Sequence, residues 1–199
     1  MSPTRDATSL PNVKHPDLSA LAERFARART RLEETAGSLT EEQLSWRPSV
    51  GGWSVGEIIE HLNVTAGLYV PRLQNAATEA RAAGRTSDEP IRHRMFGRFF
   101  LKAASPGGKQ KLKAPKTFHP IEVPATPELF ANFDRAQVEF IDCLEKFDGL
   151  DLNRVKVKSP ALGLIKFGVG TWLSVMAGHQ ERHLDQIDSR IQDPEFPAA

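Results

Sequence analysis

The chain has one cysteine, no long apolar run and almost no net charge, and each shortage excludes a class of protein. The single cysteine, Cys143, excludes an internal disulfide and any zinc site built on several thiolates. It lies between apolar positions of a predicted helix, so we expect it to be a small buried hydrophobic residue. No stretch approaches the roughly 20 apolar residues that a membrane-spanning helix needs. A net charge of +1 gives the molecule as a whole no electrostatic reason to bind nucleic acid or a membrane.

The remaining composition is that of an ordinary globular domain. The chain has 199 residues, of which 40% are hydrophobic and 26% charged, and this is enough to bury one core. Residues 1–15 are polar and contain two prolines, which predicts a flexible N-terminal arm before a single domain over residues 16–193. The first residues lack the apolar core of a signal peptide, so we expect a cytoplasmic protein.

Apolar residues recur at helical spacing in four segments. We expect long helices over residues 17–36, 54–83, 127–147 and 170–192. Asp17 is the predicted N-cap of the first helix, and Ser54 with Glu57 predicts a capping box for the second. Pro71 lies inside the second helix and is expected to kink or split it. No convincing pair of strands is present, so the pattern predicts an all-α four-helix bundle with long connections.

Residues 85–120 form a basic insert between the second and third long helices. The insert carries nine lysines and arginines against Asp88 and Glu89, and part of it, residues 91–104, is compatible with a short helix. It could attract an anionic substrate, or it could be an ordinary solvated loop. We expect no nucleic-acid partner, because the aromatic residues in it cluster as one apolar face instead of alternating with the cations.

Three histidines stand out by their placement on the predicted helices. His179 and His183 are four residues apart, so their Cβ atoms should lie about 5–6 Å apart on one flank of the last helix. His61 occupies the matching flank of the second helix. Three imidazoles from two helices are the minimum for a metal site that keeps positions open for water or substrate, whereas an unligated pair on a helix face is the alternative. The remaining histidines are expected to be solvent-exposed: His15, His93 and His119.

Three polar residues are candidates for orienting these imidazoles through their second ring nitrogen. Glu57 and Thr65 lie four residues before and after His61, and Gln186 lies three residues after His183. Glu57 is equally well explained by the capping box. The sequence offers no obvious protein nucleophile near the histidines.

Two stretches of the chain resemble the DinB-like superfamily, the DinB/YfiT group of metal-dependent enzymes. The stretch LTEEQLSWRPSVGGWSVGEIIEHLNVTAGLYV is similar to the family's first motif, a Trp-Ser helix start with a histidine seven residues after the serine. The stretch GTWLSVMAGHQERHLDQI is similar to the second motif, a His-x3-His pair on the last long helix. The resemblance extends over residues 17–192, and the long basic insert departs from it.

The resemblance implies an up-down-down-up four-helix bundle and a divalent metal, zinc or nickel, held by His61, His179 and His183. It also implies a thiol-dependent transferase that uses bacillithiol, mycothiol or a glutathione-like cofactor, or else a hydrolase, and it is compatible with a homodimer. We therefore expect a metal-dependent enzyme that activates a thiol or water for S-transfer to, or hydrolysis of, a small-molecule substrate. The alternative is a non-catalytic helical bundle that binds a small ligand or a protein partner.

Overall fold

The computed structural model describes residues 12–108, 114–120, 123 and 126–198. The described residues are mostly helical, which confirms the all-α prediction. The helices are α1 (Pro16–Ala36), α2 (Glu41–Ser45), α3 (Val55–Ala82), α4 (Met95–Ala104), α5 (Thr126–Phe147) and α6 (Val169–Ile191). A 3₁₀ turn lies at Lys116–Phe118, and two short strands are β1 (Lys156–Lys158) and β2 (Lys166–Gly168).

The four long helices pack around a common apolar interior. Helix α1 lies against α5 and α6, and helix α3 lies against the same two helices. Phe25 of α1 stacks on Phe140 of α5 with ring centroids 4.8 Å apart. None of the helices in the described ranges combines the length and the hydropathy needed to cross a bilayer. The largest fully buried side chains of the four helices include Phe25, Phe133, Phe140, Phe147, Leu32, Ile59 and Leu73.

Helix α3 begins at the predicted capping box. The Ser54 hydroxyl accepts a hydrogen bond from the Glu57 amide at 3.2 Å, and the Glu57 carboxylate accepts one from the Ser54 amide at 2.9 Å. The helix continues unbroken through Pro71, so of the two expected effects, a kink or a split, the split does not occur. The helix ends at Ala82, within a residue of the prediction, and Gly84 just beyond it has φ +61°, a conformation that glycine adopts without strain.

The start of α1 differs from the prediction. His15, and not Asp17, is the N-cap, and its Nδ1 accepts a hydrogen bond from the Asp17 amide at 3.2 Å. The expectation that His15 is solvent-exposed is also wrong, since the side chain is buried with its Nε2 3.3 Å from the Glu89 carbonyl. The Asp17 carboxylate instead accepts from the Ile91 amide at 2.7 Å. The connection after α3 therefore returns across the start of α1, which local sequence does not reveal.

The residues just before α1 are attached to the domain. The amides of Lys14 and His15 both donate to the carboxylate of Asp148 at 3.0 Å, and Val13 packs against the core. Residues 1–11 of the predicted flexible arm lie outside the described residues.

A β-hairpin occupies the connection between α5 and α6, so the expectation that the chain has no strand pair is wrong. Strands β1 and β2 are antiparallel, with Val157 opposite Phe167 and Lys158 opposite Lys166. The Trp172 indole donates to the Val157 carbonyl at 2.8 Å and ties the hairpin to α6. Strands of three residues carry little periodic signal, and this hairpin depends on its packing against a helix.

Part of the basic insert is a helix built along α6. Gly97 of α4 lies against Thr171, and Ser105 lies against Gly178. A Cβ atom added to Gly178 would lie 2.4 Å from the Ser105 hydroxyl, so glycine permits this close approach. The short helix expected within residues 91–104 is confirmed, and residues 109–113 of the insert lie outside the described residues.

We expect the Ser54→Ala substitution to lower the free energy of unfolding by about 1 kcal/mol, because it removes the side-chain acceptor at the start of α3. Urea titration measures the change. The exposed Ser49 lies just upstream, and Ser49→Ala serves as the matched control with a change near zero. Equal stability of the two variants would contradict the capping role.

We expect Cys143 to be unreactive in the folded protein. Its side chain is fully buried, and this burial raises the pKa of the thiol to about 12, so almost no thiolate forms at pH 8. A colorimetric thiol reagent should detect no thiol in the native protein and one per chain in denaturant. Rapid modification of the native protein would show that the residue is accessible.

Candidate metal centre

Helices α3 and α6 bring the three predicted histidines together. The Nε2 atom of His179 lies 3.2 Å from Nε2 of His61 and 3.1 Å from Nε2 of His183. One nitrogen from each ring lies within 4.8 Å of the other two. The pair on α6 and the single histidine on α3 therefore meet at one point between the two helices, as their positions on the helix flanks predicted.

The separations between these nitrogens suit a shared ion. Imidazole nitrogens at about 2.0–2.1 Å from zinc are about 3.3–3.4 Å apart in a tetrahedral arrangement and about 2.8–3.0 Å apart at right angles. The observed distances of 3.1 and 3.2 Å lie between these limits. The donor set thus fits a divalent cation with three protein ligands and further positions for small molecules.

A backbone carbonyl sets the tautomer of His61. The Nδ1 atom of this ring lies 2.6 Å from the carbonyl oxygen of Phe118, in the 3₁₀ turn of the basic insert. A carbonyl can only accept, so Nδ1 carries the proton, and in the neutral ring Nε2 presents its lone pair to the other histidines. Histidines that bind metals commonly donate their other N–H in this way.

Glu57 and Thr65 make different contacts from those expected. The Glu57 carboxylate accepts from the Ser54 amide and pairs with Arg47 at 2.6 Å. The Thr65 hydroxyl is buried without a hydrogen-bond partner in the part of the chain that the structure describes. Both ring nitrogens of His61 already face other groups, so neither residue orients this ring directly.

Gln186 lies near His183 but makes no well-formed hydrogen bond to it. Among the described residues, Nδ1 of His183 is buried without a hydrogen-bond partner. The nearby Gln186 side chain still favours the protonated ring, which opposes the larger effect of burial on the pKa of His183. An orienting role for Gln186 therefore stays a prediction.

Burial keeps all three imidazoles neutral. Desolvation, with a contribution from His61, lowers the pKa of His183 to about 3. Desolvation and the neighbouring rings lower the pKa of His179 well below its usual value. Desolvation also lowers the pKa of His61, against the opposing effect of the Phe118 carbonyl. At pH 7 the cluster therefore presents neutral nitrogens, the form in which histidine binds metals.

Trp53 forms one wall of the cluster. Its ring lies 4.7 Å from His61 and 6.4 Å from His183, measured between centroids, and the exposed His119 meets its edge at 5.6 Å. Arg190 of α6 donates to the Trp53 carbonyl at 3.1 Å and holds this segment against the helix. The side chains of His61 and His183 are buried, and residue His179 as a whole is of intermediate exposure.

Sequence reasoning missed Trp53 and the Phe118 carbonyl as parts of the site. A signal for Trp53 was available, because an apolar residue just before an N-cap commonly packs onto the first turn of the helix. The carbonyl had no such signal, since every residue carries one. The insert contains two histidines that were both expected to be solvent-exposed. His119 is exposed, whereas the expectation is wrong for His93, which is half-buried with its Nδ1 3.2 Å from the Thr171 hydroxyl.

Comparison with known protein families is consistent with this geometry. A family model described as the DinB superfamily matches residues 24–187, a span that includes all three histidines and both motifs of the sequence analysis. The chain has no match among the curated proteins or among the solved structures.

We expect the protein, after treatment with a chelator, to lose stability in acid partly through His183. The pKa of this ring is about 3 in the folded state and 6.5 in its ordinary state, so below pH 6.5 the unfolded chain binds a proton that the folded chain does not. The free energy of unfolding should therefore fall by about 1.4 kcal/mol per pH unit below pH 6.5 from this residue. Urea titrations at several pH values measure the slope.

The His183→Asn variant separates this contribution from the other titrating groups. Its unfolding free energy should fall less steeply with decreasing pH than that of the wild-type protein. Parallel slopes for the two proteins would mean that His183 titrates normally in the folded state.

Proposed function

The chain belongs to the DinB superfamily, and from this premise we propose that His61, His179 and His183 form the metal centre of an enzyme. The observation that carries the proposal is the convergence of three Nε2 atoms, two of whose separations are 3.1 and 3.2 Å. The fixed tautomer of His61 and the lowered pKa values of the three rings support it.

The proposed ion is zinc or nickel. Both accept neutral imidazole nitrogens, and both tolerate a sulfur ligand in an open position. A divalent ion on three neutral ligands would lower the pKa of a coordinated water or thiol and so supply a nucleophile at neutral pH.

The protein's own residues have separate tasks in this proposal. The Phe118 carbonyl retains the proton at Nδ1 of His61, which keeps Nε2 available as a ligand. Trp53 covers His61 and His183 and limits the access of water to them. Cys143 is buried and its thiol has a pKa of about 12, which supports a nucleophile that enters from outside the protein.

A cation beside the cluster supports an anionic reactant. The Arg182 guanidinium donates to the Gly108 carbonyl at 2.8 Å, and its charge contributes to the lowered pKa values of His179 and His183. Such a charge would attract a thiol that carries carboxylates, as glutathione-like thiols do. We therefore propose thiol-dependent S-transfer to a small molecule as the reaction, with hydrolysis by a bound water as the second candidate.

We also propose the up-down-down-up helix order that the family resemblance implies. Contacts between α1 and α6 support it, because Arg24 pairs with Glu181 and Arg31, further along α1, pairs with Asp185. Residue numbers rise together in these pairs, as they do in helices that run in the same direction.

Contacts of α3 support the same order. His61 meets His179, whereas Tyr69 meets Trp172, so numbers rise along α3 as they fall along α6. Against α5 the numbers rise together, from Asn63 at the Leu129 carbonyl to Arg81 at the Lys146 carbonyl. Helices α3 and α5 would then run opposite to α1 and α6.

We expect untagged protein to bind about one zinc or nickel ion per chain, because the donor set has room for one ion. Chelator-treated protein is titrated with each metal, and the bound metal is measured by mass spectrometry after desalting. The loaded protein is then assayed for consumption of several small thiols with a panel of electrophiles.

The His179→Ala variant should lose at least about tenfold in metal affinity, because it removes the ring that faces both others. His93→Ala is the matched control, since this histidine lies outside the cluster, and it should bind like the wild type. Equal binding by the two variants would overturn the metal centre. A metal-loaded protein that consumes no thiol with any electrophile would favour hydrolysis or the non-catalytic alternative.

A further inference from the structure

Helix α4 exposes large apolar side chains on its outer face. Met95 and Phe96 are each 69% exposed, and Phe99 is 47% exposed. The opposite face of this helix is seated on α6, where Gly97 and Ala103 are buried. Arg94 precedes the helix and Arg98 lies within it, and both are exposed, so the outward apolar face is bordered by cations.

The β-hairpin repeats this arrangement at its tip. Leu162 is 45% exposed and Leu164 is fully exposed, in the turn between β1 and β2. Lys158 and Lys166 lie directly opposite each other where the strands enter this turn, and both are exposed. Two leucines therefore project beyond a pair of lysines.

Helix α4 and the hairpin are in direct contact. The rings of Phe100 and Phe167 are in contact with their centroids 5.4 Å apart, which joins the two elements. Burial, together with the nearby charges of Arg94 and Lys166, lowers the pKa of Lys156, so cations of both elements lie close together. We call this the α4–hairpin surface. Its outward side chains are Met95, Phe96, Phe99, Leu162, Leu164, Arg94, Arg98, Lys156, Lys158 and Lys166.

We propose that the α4–hairpin surface docks the protein on the face of a membrane that contains anionic lipids. Aromatic and aliphatic side chains that project beyond lysines and arginines can enter the boundary between headgroups and acyl chains, while the cations remain with the phosphates. Each cation near an anionic bilayer adds about 1 kcal/mol to binding. The proposal is independent of the metal centre.

The net charge of +1 does not reveal the local cluster of cations on this surface. Acidic residues elsewhere balance the cations in the total, and the total led the sequence analysis to expect no membrane partner. Electrostatic attraction to a bilayer acts within about 10 Å, however, so the local cluster and not the whole chain decides it.

Two other occupants fit the surface less well. A second copy of the chain meeting the same surface would place lysines and arginines against lysines and arginines, which is unfavourable. A nucleic acid would satisfy the cations and could stack bases on Phe96 and Phe99, but Leu162, Leu164 and Met95 offer it no ring. An anionic bilayer complements both the apolar and the charged side chains.

Vesicle flotation tests the proposal with the full chain. We expect the protein to float with phosphatidylcholine vesicles that contain about a quarter phosphatidylglycerol, to bind pure phosphatidylcholine vesicles weakly, and to dissociate in high salt. The Leu162→Ser/Leu164→Ser double variant should bind at least about tenfold more weakly. The Lys158→Gln/Lys166→Gln double variant should lose about fivefold in affinity per lysine.

Matched controls come from exposed positions elsewhere. Val50→Ser removes an apolar side chain that is 90% exposed, and Arg27→Gln removes an exposed charge on α1; neither should change vesicle binding. Thermal unfolding checks that all variants are folded.

Three results would overturn the proposal. The first is equal binding, or no binding, to anionic and neutral vesicles, and the second is vesicle binding by the leucine variant equal to that of the wild type. The third is absence of vesicle binding together with tight binding to a nucleic-acid duplex, or together with a dimer that the leucine substitutions dissociate.

Discussion

The close approach of α3 and α6 is the constraint on which the site depends. It brings three neutral imidazole nitrogens close together in a buried environment that disfavours a positive charge. The pKa of His183 falls from 6.5 to about 3, which corresponds to a free-energy cost of about 5 kcal/mol for protonating this ring. Lone pairs that converge in this way are stabilised by a shared cation. The two helices can meet there because their flanking apolar residues are buried in the same core.

The basic insert contributes to both the proposed metal centre and the proposed membrane-docking surface. Its 3₁₀ turn supplies the carbonyl that orients His61, and its helix α4 lies along α6 and carries half of the α4–hairpin surface. The sequence analysis offered two interpretations of this insert, an attractor of anions or a solvated loop. The described part of it packs on the bundle through the 3₁₀ turn and α4, and it leaves several large apolar side chains facing outward.

Helix α6 links the metal centre to the α4–hairpin surface. Its first turns, around Thr171 and Trp172, hold α4 and the hairpin, and its middle turns carry His179 and His183. Glycines at 170 and 178 allow other segments to approach the helix closely, since a Cβ atom at either would lie within 3 Å of a neighbouring side chain. One helix therefore organises the proposed chemistry and the proposed docking surface.

The sequence by itself determined the features that depend on neighbours within about four residues. The capping box of Ser54 and Glu57, the apolar stripes of the long helices and the shared flank of His179 and His183 are of this kind, because helix geometry places such residues side by side. His61 was identified through its flank position and the family resemblance together.

Only the tertiary structure decided which distant segments complete these local features. His15 replaces Asp17 as the cap of α1 because the connection after α3 returns across that helix, and the Phe118 carbonyl reaches His61 over 57 residues of sequence separation. The hairpin exists through its packing on Trp172. A backbone carbonyl or a three-residue strand has no distinctive side-chain pattern, so its role follows from where the folded chain places it.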